Sequence, residues 1–471
     1  MQQDFDREVL SRLPLAEAVL VLWQFVCDDQ VLDDLYDCHR GRTYQKKITF
    51  PLLAQLVRHA LLEPAGSGHK SFRQAQQDGS LPAVLSSTYD KLGHLPLAVS
   101  EAFLAEGASR LRQVFPDDAV TALDDPIPPS LRDFAVLVLD GKVVKRVPRR
   151  LKPARQRKGG LLGGKGLAAL HLRSGLALAL ATDPDGEAND AKLVPALLPQ
   201  VRARVGGPRL WLADRQFCDL VQTAAFTAAE GDHFVVRYHR KVRFYPDPAR
   251  PAQHGQDGQG RAYEQEWGWL GGARDPRRRY VRRVTLHRAG EEDVILVTDL
   301  LDAASYPAED LLALYLARWG IERVFQQITE VFHLNRLIAT TPQGTLFQLS
   351  FCLLLYNMIQ VVRGYVAVGQ GHALEVISTE LLFADVAKQM VALHELVAAD
   401  RLLEVLPGAS TAAALRQHLR RLLGRVWSEC WVKSPAQQRR PPARKQGKRD
   451  HTSVYRLLNA LRPSAGKKTV T

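Results

Sequence analysis

Cysteine is scarce in this sequence, and the few cysteines follow no recognisable spacing. The 471 residues contain five of them, Cys27, Cys38, Cys218, Cys352 and Cys430. They lack the density of a secreted disulfide scaffold and the paired spacing of a zinc site. The fourteen histidines are equally dispersed and suggest neither a zinc pair nor a Ser/His/Asp triad. These absences favour a reducing, cytoplasmic location and leave carboxylates as the main source of candidate chemistry.

Long apolar runs are also nearly absent. The first eight residues are polar and acidic, so they do not predict a signal peptide. One run, Leu346–Val362, is long enough to cross a bilayer. It is interrupted by Gln348, Ser350, Asn357 and Gln360. These polar residues favour a buried core helix over a membrane span.

Acidic residues are outnumbered by basic ones. Lys and Arg total 63 against 50 Asp and Glu, which gives a formal net charge of +13. The excess indicates a polyanionic partner, nucleic acid foremost, although net charge says nothing about the fold. Apolar residues make up 46% of the chain, which is enough to bury a substantial core.

Hydrophobic periodicity divides the chain into five predicted parts. The first is helical, since apolar residues recur three and four positions apart in Leu15–Val26 and Leu52–Leu62. The last is strongly basic, with eleven Lys or Arg against one acid from Lys433 onward, and either contacts DNA or only solubilises the chain. The parts are a helical N-terminal domain with possible DNA binding, the first half of an α/β core, a β-rich insertion, the second half of the core with further helices, and a basic arm, at 1–125, 126–232, 233–300, 301–425 and 426–471.

Short apolar segments predict the strands of the α/β core. Phe134–Leu139 has the continuous apolar character of a buried central strand, and the Asp-Gly pair at 140–141 predicts a hairpin turn directly after it. Arg209–Ala213 predicts a second buried strand. A further hairpin is predicted from Leu167–Leu172 and Leu176–Thr182.

Three acids occupy positions suited to metal-dependent cleavage of a phosphodiester. Two divalent ions about 3.5 to 4 Å apart can neutralise the attacking and leaving oxygens, and carboxylates are the ligands that Mg²⁺ and Mn²⁺ prefer. Asp140 and Asp214 each follow an apolar strand, although an Asp there is more often a turn or cap residue. Tyr315, Arg318 and Glu322 share one face of a predicted helix running from Pro307 to about Leu334, where an ordinary surface ion pair is the alternative.

The order of these motifs resembles the DDE transposases of the insertion sequence four-like family. The resemblance rests on Asp-Gly at 140–141, Asp-Arg-Gln-Phe at 214–217 and Tyr-x-x-Arg-x-x-x-Glu at 315–322. It covers about residues 130–365. It implies a ribonuclease-H-like α/β fold, a mixed sheet flanked by helices, with the β-rich insertion between the second aspartate and the glutamate.

The resemblance also implies the activity and its partners. Asp140, Asp214 and Glu322 would be the catalytic, metal-binding residues for two Mg²⁺ ions, with Mn²⁺ as a substitute. They would nick DNA at the ends of a mobile element and join the freed 3' hydroxyl to a target strand. The implied partners are double-stranded DNA with terminal inverted repeats, target DNA and a second copy of the chain, in a prokaryotic cytoplasm at the nucleoid. A nuclease that cuts without joining, and a non-catalytic DNA-binding descendant, are the alternatives.

One position departs from the family pattern. The family signature continues from Glu322 through six residues to a lysine, where this sequence has Thr329. Threonine can hydrogen-bond a phosphate but supplies no charge. Arg323 and Arg336 are therefore candidates to compensate.

Basic and aromatic residues outside the three acids predict further DNA contacts. Gly159–Gly166 nearly matches a phosphate-binding loop, but Gly166 stands where a hydroxyl should reach magnesium. We interpret the segment as part of a mobile basic loop that contacts backbone phosphates. The insertion places tryptophans beside arginines, which suits unstacked bases, although core packing is the commoner role of a single tryptophan. The predicted DNA-binding residues are Arg155, Arg157, Lys158, Lys165, Trp267, Trp269, Tyr315, Arg318 and Thr329.

Overall fold

A mixed β-sheet of eleven strands runs through the chain in a computed structural model that describes residues 2–43, 45–62, 68–120, 124–318, 320–408, 411–433 and 450–462. The strands are β1 Ala135–Lys145, β2 Gly160–His171, β3 Ala177–Asp183, β4 Arg209–Ala213, β5 Asp232–Arg237, β6 Phe244–Pro246, β7 Gln253–Gln256, β8 Ala262–Leu270, β9 Arg279–Leu286, β10 Val294–Thr298 and β11 His451–Ser453. Their spatial order is β11-β2-β1-β4-β5-β10-β9-β8-β6, with β3 paired to β2 and β7 to β8.

Helices cover the sheet and form most of the N-terminal region. They are α1 Gln2–Ser11, α2 Pro14–Val26, α3 Asp29–His39, α4 Phe50–Leu62, α5 Gly68–Gln77, α6 Leu85–Gly93, α7 Leu97–Val114, α8 Lys152–Arg155, α9 Val194–Arg202, α10 Leu220–Phe226, α11 Ala308–Ala317, α12 Gly320–Glu330, α13 Pro342–Gln370, α14 Thr379–Leu396, α15 Ala399–Val405, α16 Ala412–Leu423 and α17 Val454–Ala460. The predicted helical character of the first part is confirmed. Its helix α7 packs on both β3 and α13, so the N-terminal helices share the core of the sheet.

The centre of the sheet is formed by β1, β4 and β5, which run parallel to one another. Every residue of β4 is buried, as is the run from Val136 to Leu139 in β1. Strands covered on both faces show such continuous apolar runs, and these two strand predictions are confirmed. The predicted insertion extends the same sheet, because β10 pairs with β5 and β9 pairs with β10.

The predicted turn at the Asp-Gly pair is wrong. Strand β1 continues through Asp140 and Gly141 to Lys145, and β2 pairs with it on both sides of the pair, with Asp140 opposite Ala168. The antiparallel partner supplies the hydrogen bonds that a turn would have supplied locally. The turn preference of an Asp-Gly pair is thereby overridden by sheet pairing.

The glycine-rich segment is a strand rather than a mobile loop. Residues 160–166 are the first half of β2, which excludes both the phosphate-loop geometry and the predicted mobile loop there. A Cβ atom added at Gly163 would lie 2.9 Å from Thr345 Oγ1, and one added at Gly164 would lie 2.9 Å from Leu346 Cδ1. The glycines therefore let α13 approach the sheet closely, and Thr345 Oγ1 donates a 2.6 Å hydrogen bond to the Gly163 carbonyl.

Helix α13 is the central core helix. In the described ranges it is the one unbroken helix long and apolar enough to span a membrane, and its most apolar window is wholly buried inside the protein. Its buried Asn357 is satisfied internally, since it accepts from the Ala177 amide and donates to the Ala177 carbonyl, both at 2.8 Å. This agrees with the core helix predicted for Leu346–Val362.

Part of the predicted basic arm is folded. Strand β11 pairs in parallel with the start of β2, and Arg456 of α17 forms ion pairs with Asp185, at 2.8 Å, and with Glu187. The prediction of an arm without regular structure is therefore wrong for residues 450–462. Residues 434–449 and 463–471 lie outside the described residues.

The glycines of β2 give a test of this packing. Gly164 has φ +133 and faces Leu346, so Gly164→Ala introduces both backbone strain and a clash with α13. We expect the variant to lose about 1–3 kcal/mol of unfolding free energy, measured by urea denaturation. Gly206→Ala is the control, since nothing lies within 4 Å of its added Cβ, and it should change stability by less than about 0.5 kcal/mol. Equal losses in both variants would contradict the packing argument.

Candidate active site

Asp140 and Asp214 stand side by side on neighbouring strands. In the parallel pairing of β1 and β4, Leu139 lies opposite Ala213, and the two aspartates are the next residues. Strand β4 ends here while β1 continues. Asp214 Oδ1 accepts a 2.7 Å hydrogen bond from the Arg215 amide and so caps a short 3₁₀ helix. At the carboxyl end of β4, Asp214 and the neighbouring Asp140 of β1 thus bring two carboxyl groups close together.

Glu322 reaches the same edge from helix α12. It lines a cleft together with Asp140 and the strand residues that follow it. The residues around this cleft are Asp140, Gly141, Lys142, Glu322, Phe325, Gln326, Thr329 and Glu330. Because Glu322, Phe325, Gln326 and Thr329 recur at helical spacing, one face of α12 forms an entire wall of the cleft.

The predicted single helix around these residues is wrong in detail. It consists of α11, which ends at Ala317, and α12, which begins at Gly320; Trp319 lies outside the described residues. The predicted neighbours still meet, because Arg318 Nη2 donates a 3.2 Å hydrogen bond to Glu322 Oε1. Tyr315 also lies close, with the Arg318 guanidinium 5.5 Å from its ring centroid.

Arg318 is a buried cation between the acids. Its side chain is only 6% exposed, whereas Glu322 is 59% exposed. Burial by itself would lower the pKa of Arg318, but the Tyr315 hydroxyl and the carboxyl groups of Asp214, Asp140 and Glu322 raise it above its ordinary value. The guanidinium therefore remains charged and acts on all three acids at once.

Asp140 is the acid most affected by its surroundings. Burial raises its pKa to about 6, against the opposing effects of the Arg318 charge and the Gly141 amide. The carboxyl groups of Glu322 and Asp190 raise it further. A charged Asp140 is therefore costly in the metal-free protein, and a cation at this edge would relieve that cost.

The comparisons with known proteins agree with this geometry. Residues 132–358 match the family model described as the transposase DDE domain. This part of the chain is a transposase DDE domain. A solved structure of the piggyBac transposase synaptic complex with hairpin DNA is similar at a TM-score of 0.37 and 12% identity, covering 88% of each chain. Among curated protein sequences none matches the chain.

The family match confirms the resemblance and the ribonuclease-H-like fold inferred from the sequence. The matched range contains both aspartates and Glu322. The match covers this domain, and the activity of the chain and the roles of individual residues are taken up under Proposed function.

The chemistry of the DDE domain suits divalent cations, although its acids do not yet form a closed site. Within the described ranges, no three His, Cys, Asp or Glu side chains stand close enough to hold one ion, so the expected convergence of the three acids is incomplete in this conformation. Their carboxylate oxygens are nevertheless the donors that Mg²⁺ and Mn²⁺ prefer. Glu322, largely exposed, has room to turn toward Asp140.

A fourth acid, missed in the sequence, supports the site from behind. Asp190 is buried, pairs with Lys165 Nζ at 2.6 Å and accepts a 2.7 Å hydrogen bond from Gln216 Nε2. A Cβ atom at Gly141 would lie 2.4 Å from its carboxyl atoms. Asp190 therefore packs directly against the strand beside Asp140, and the glycine after Asp140 was the one available signal for such a close approach.

Lys165 and Trp267 are corrected as DNA contacts. The Lys165 ammonium group is committed to Asp190 and to the Ala188 carbonyl, at 2.8 Å. Trp267 is fully buried, and its Nε1 donates to the Leu301 carbonyl at 2.9 Å. Neither residue can meet DNA without breaking these contacts. Partly buried Trp269 lies under the Arg278 guanidinium, 4.1 Å from its ring centroid, which covers that face against a base.

The other predicted DNA contacts lie at the surface or at the cleft. Arg155, Arg157 and Lys158 are exposed at and after α8, and their phosphate contacts stay predictions. Thr329 lines the cleft, where its hydroxyl donates a 2.6 Å hydrogen bond to the Phe325 carbonyl. Tyr315 is buried beside Arg318.

Neither proposed substitute for the missing lysine lies in the cleft. Arg323 lines a pocket on the opposite face of α12, and Arg336 is not among the residues around the cleft. Lys142 is there instead, and its Nζ donates to the Phe325 carbonyl at 3.2 Å, the acceptor that Thr329 also uses. The sequence offered one signal, since Lys142 is two residues from Asp140 and so shares its side of β1.

Because the pKa of Asp140 is raised, replacing its carboxyl group should increase the free energy of unfolding. In the unfolded chain this carboxyl titrates near 3.8, and in the folded protein at about 6. Wild type should therefore lose stability as pH rises from 4 to 6, relative to Asp140→Asn. Above pH 6 the variant should be more stable by about 1–3 kcal/mol in urea denaturation with EDTA. Exposed Asp133→Asn is the control, and a gain of the same size there would contradict the argument.

Proposed function

We propose that the protein cleaves DNA strands at the ends of a mobile element and joins the freed 3' ends to target DNA. The observation that carries this proposal is the pairing of Asp140 with Asp214 at one strand edge, facing Glu322 across buried Arg318. By analogy with its family, the chain would act as a homodimer on DNA with terminal inverted repeats. Its place of action would be the prokaryotic cytoplasm.

Asp140, Asp214 and Glu322 are the residues that would hold the two divalent ions. When bound, these ions supply charge neutralisation at the attacking and leaving oxygens. Arg318 orients the site: its guanidinium reaches Glu322 and is buried beside Tyr315. A scissile phosphate bound beside Asp140 and Glu322 would accept a hydrogen bond from Arg318, whose guanidinium lies beside the Tyr315 ring.

Two glutamates of α12 give a matched test of the catalytic assignment. Glu322 and Glu330 both line the cleft and are exposed, but only Glu322 contacts Arg318. We expect Glu322→Gln to lower Mg²⁺-dependent cleavage of element-end DNA by at least about 10³-fold. Glu330→Gln should change it by less than about threefold.

Asp140→Asn and Asp214→Asn should lower cleavage as much as Glu322→Gln does. Both variants should retain salt-sensitive DNA binding. Substantial cleavage by any of the three variants would show that another residue carries the chemistry. Strand-transfer products from a pre-cleaved end would separate the transposase from a nuclease that cuts without joining.

In this proposal Lys142 supplies the positive charge that the family pattern places at position 329. Its ammonium group and the Thr329 hydroxyl meet at one carbonyl in the cleft, so a positive charge is already present where the helix lacks one. Burial lowers the pKa of Lys142, while Asp140 and Glu330 oppose that effect. A phosphate entering the cleft would replace the Phe325 carbonyl as its partner.

Two substitutions that move the positive charge from β1 to α12 test this role. Lys142→Gln should weaken DNA binding and reduce the slope of log K against log salt by about 0.9, the value for one phosphate contact. Adding Thr329→Lys to that variant should restore the slope, whereas Thr329→Lys in the wild type should gain little because two ammonium groups would compete for one site. If Thr329→Lys in the wild type increased the slope by the value for a whole phosphate contact, Lys142 would not be the residue that binds this phosphate.

A further inference from the structure

A basic pocket lies on the face of α12 that turns away from the cleft. It encloses about 290 Å³ and is lined on the helix by Gly320, Arg323, Val324 and Gln327. The rest of its wall includes Arg173, Arg363, Glu375 and Lys433. Since Arg323 immediately follows Glu322, one helix carries the proposed catalytic acid on one face and this pocket on the other.

Arg363 makes the pocket a built site. Its side chain is 7% exposed, and it donates to Thr379 Oγ1 at 2.9 Å and to Glu375 Oε1 at 3.3 Å. Its Nε atom is buried and has no hydrogen-bond partner within the described residues. A buried, charged donor left unpaired costs free energy, and an oxygen of a bound anion would remove that cost.

The charges around the pocket are unbalanced. Glu375 pairs with both Arg363 and Lys433 at 3.3 Å, and Arg323 adds to their field. Burial lowers the pKa of Lys433, Glu375 opposes this, and the nearby Arg363 and Arg323 charges lower it further. Arg173 and Asp124 are also in the wall, and because Arg173 pairs with Asp125 at 2.8 Å, four cations stand against three acids. The pocket therefore has a net positive charge that a phosphate would complement.

We propose that this pocket binds a phosphate group of the bound DNA, which rests on the proposed function for the identity of the polyanion. The chain itself favours DNA over a free phosphate. From Lys433 the sequence continues into residues 434–449, which contain six Lys or Arg and no acid. Such a basic composition suits a polyanion with many phosphates rather than a single small anion.

Salt-dependent DNA binding in EDTA tests the pocket apart from catalysis. Arg323→Gln/Lys433→Gln should reduce the slope of log K against log salt by about 0.9 on a duplex of random sequence. The control is Arg421→Gln/Arg425→Gln, which removes the same charge from two exposed positions and should leave the slope unchanged. Equal reductions in both variants would overturn the proposal, because net charge alone would then explain them.

Pyrophosphate distinguishes the two sources of phosphate. If pyrophosphate raises the melting temperature of the wild type and not of Arg323→Gln/Lys433→Gln, while the DNA slope is the same in both, the pocket takes a free anion and the DNA assignment is overturned. Arg323→Gln alone removes one exposed charge and guards against misfolding of the double variant; it should reduce the slope in the same direction. The experiment measures DNA binding and not cleavage, so its outcome does not depend on whether the catalytic proposal is correct.

Discussion

The buried Arg318 guanidinium is the interaction on which the site depends. Asp140 and Asp214 stand at one strand edge with Glu322 of α12 nearby, and the burial of Asp140 by itself favours the neutral form of that carboxyl. Arg318 lies among them with a side chain only 6% exposed and bonds Glu322 directly. Removing a buried cation of this kind leaves its partners unpaired, which costs more than the ion pair itself contributes. Burial nevertheless raises the pKa of Asp140 to about 6 against the opposing effect of Arg318, so a further positive charge at this edge would favour the ionised carboxyl.

Backbone packing behind this strand edge determines where a further positive charge could bind. The glycines of β2 allow α13 to lie directly on the sheet, and Gly141 allows the Asp190 carboxyl to lie against β1. Asp190 is in turn held by Lys165 and Gln216. Gln216 belongs to the segment that follows Asp214, so one buried carboxyl connects the strands that carry Asp140 and Asp214. Positions on such rigid elements hold a site more accurately than loops do.

The fold class and the buried strands could be predicted from the sequence, whereas the catalytic roles of the site residues stay predictions. Buried parallel strands appear as unbroken apolar runs, so the strands before Asp140 and Asp214 were recognisable, and helical spacing brought Arg318 to Glu322. The Asp-Gly turn failed because its preference is local, while β2 pairs with it from residues 167 and 168. Lys165 was mistaken for a DNA contact and Lys142 was overlooked for the same reason. Their partners, the Asp190 carboxyl and the Phe325 carbonyl, are 25 and 183 residues away in the chain, beyond the reach of any periodicity.

The position of Lys142 also explains why a threonine is compatible with the proposed chemistry. Lys142 and Thr329 approach one carbonyl from a strand and from a helix. Two lysines there would share a single acceptor and repel each other. One lysine can therefore be accommodated on β1 or on α12, but two at once are unfavourable. On β1 it stands two residues from Asp140, and its Nζ lies 5.8 Å from the centroid of the Phe325 ring. With the charge on the strand, α12 needs only a small hydroxyl at 329, and its wall of the cleft stays open to a phosphate.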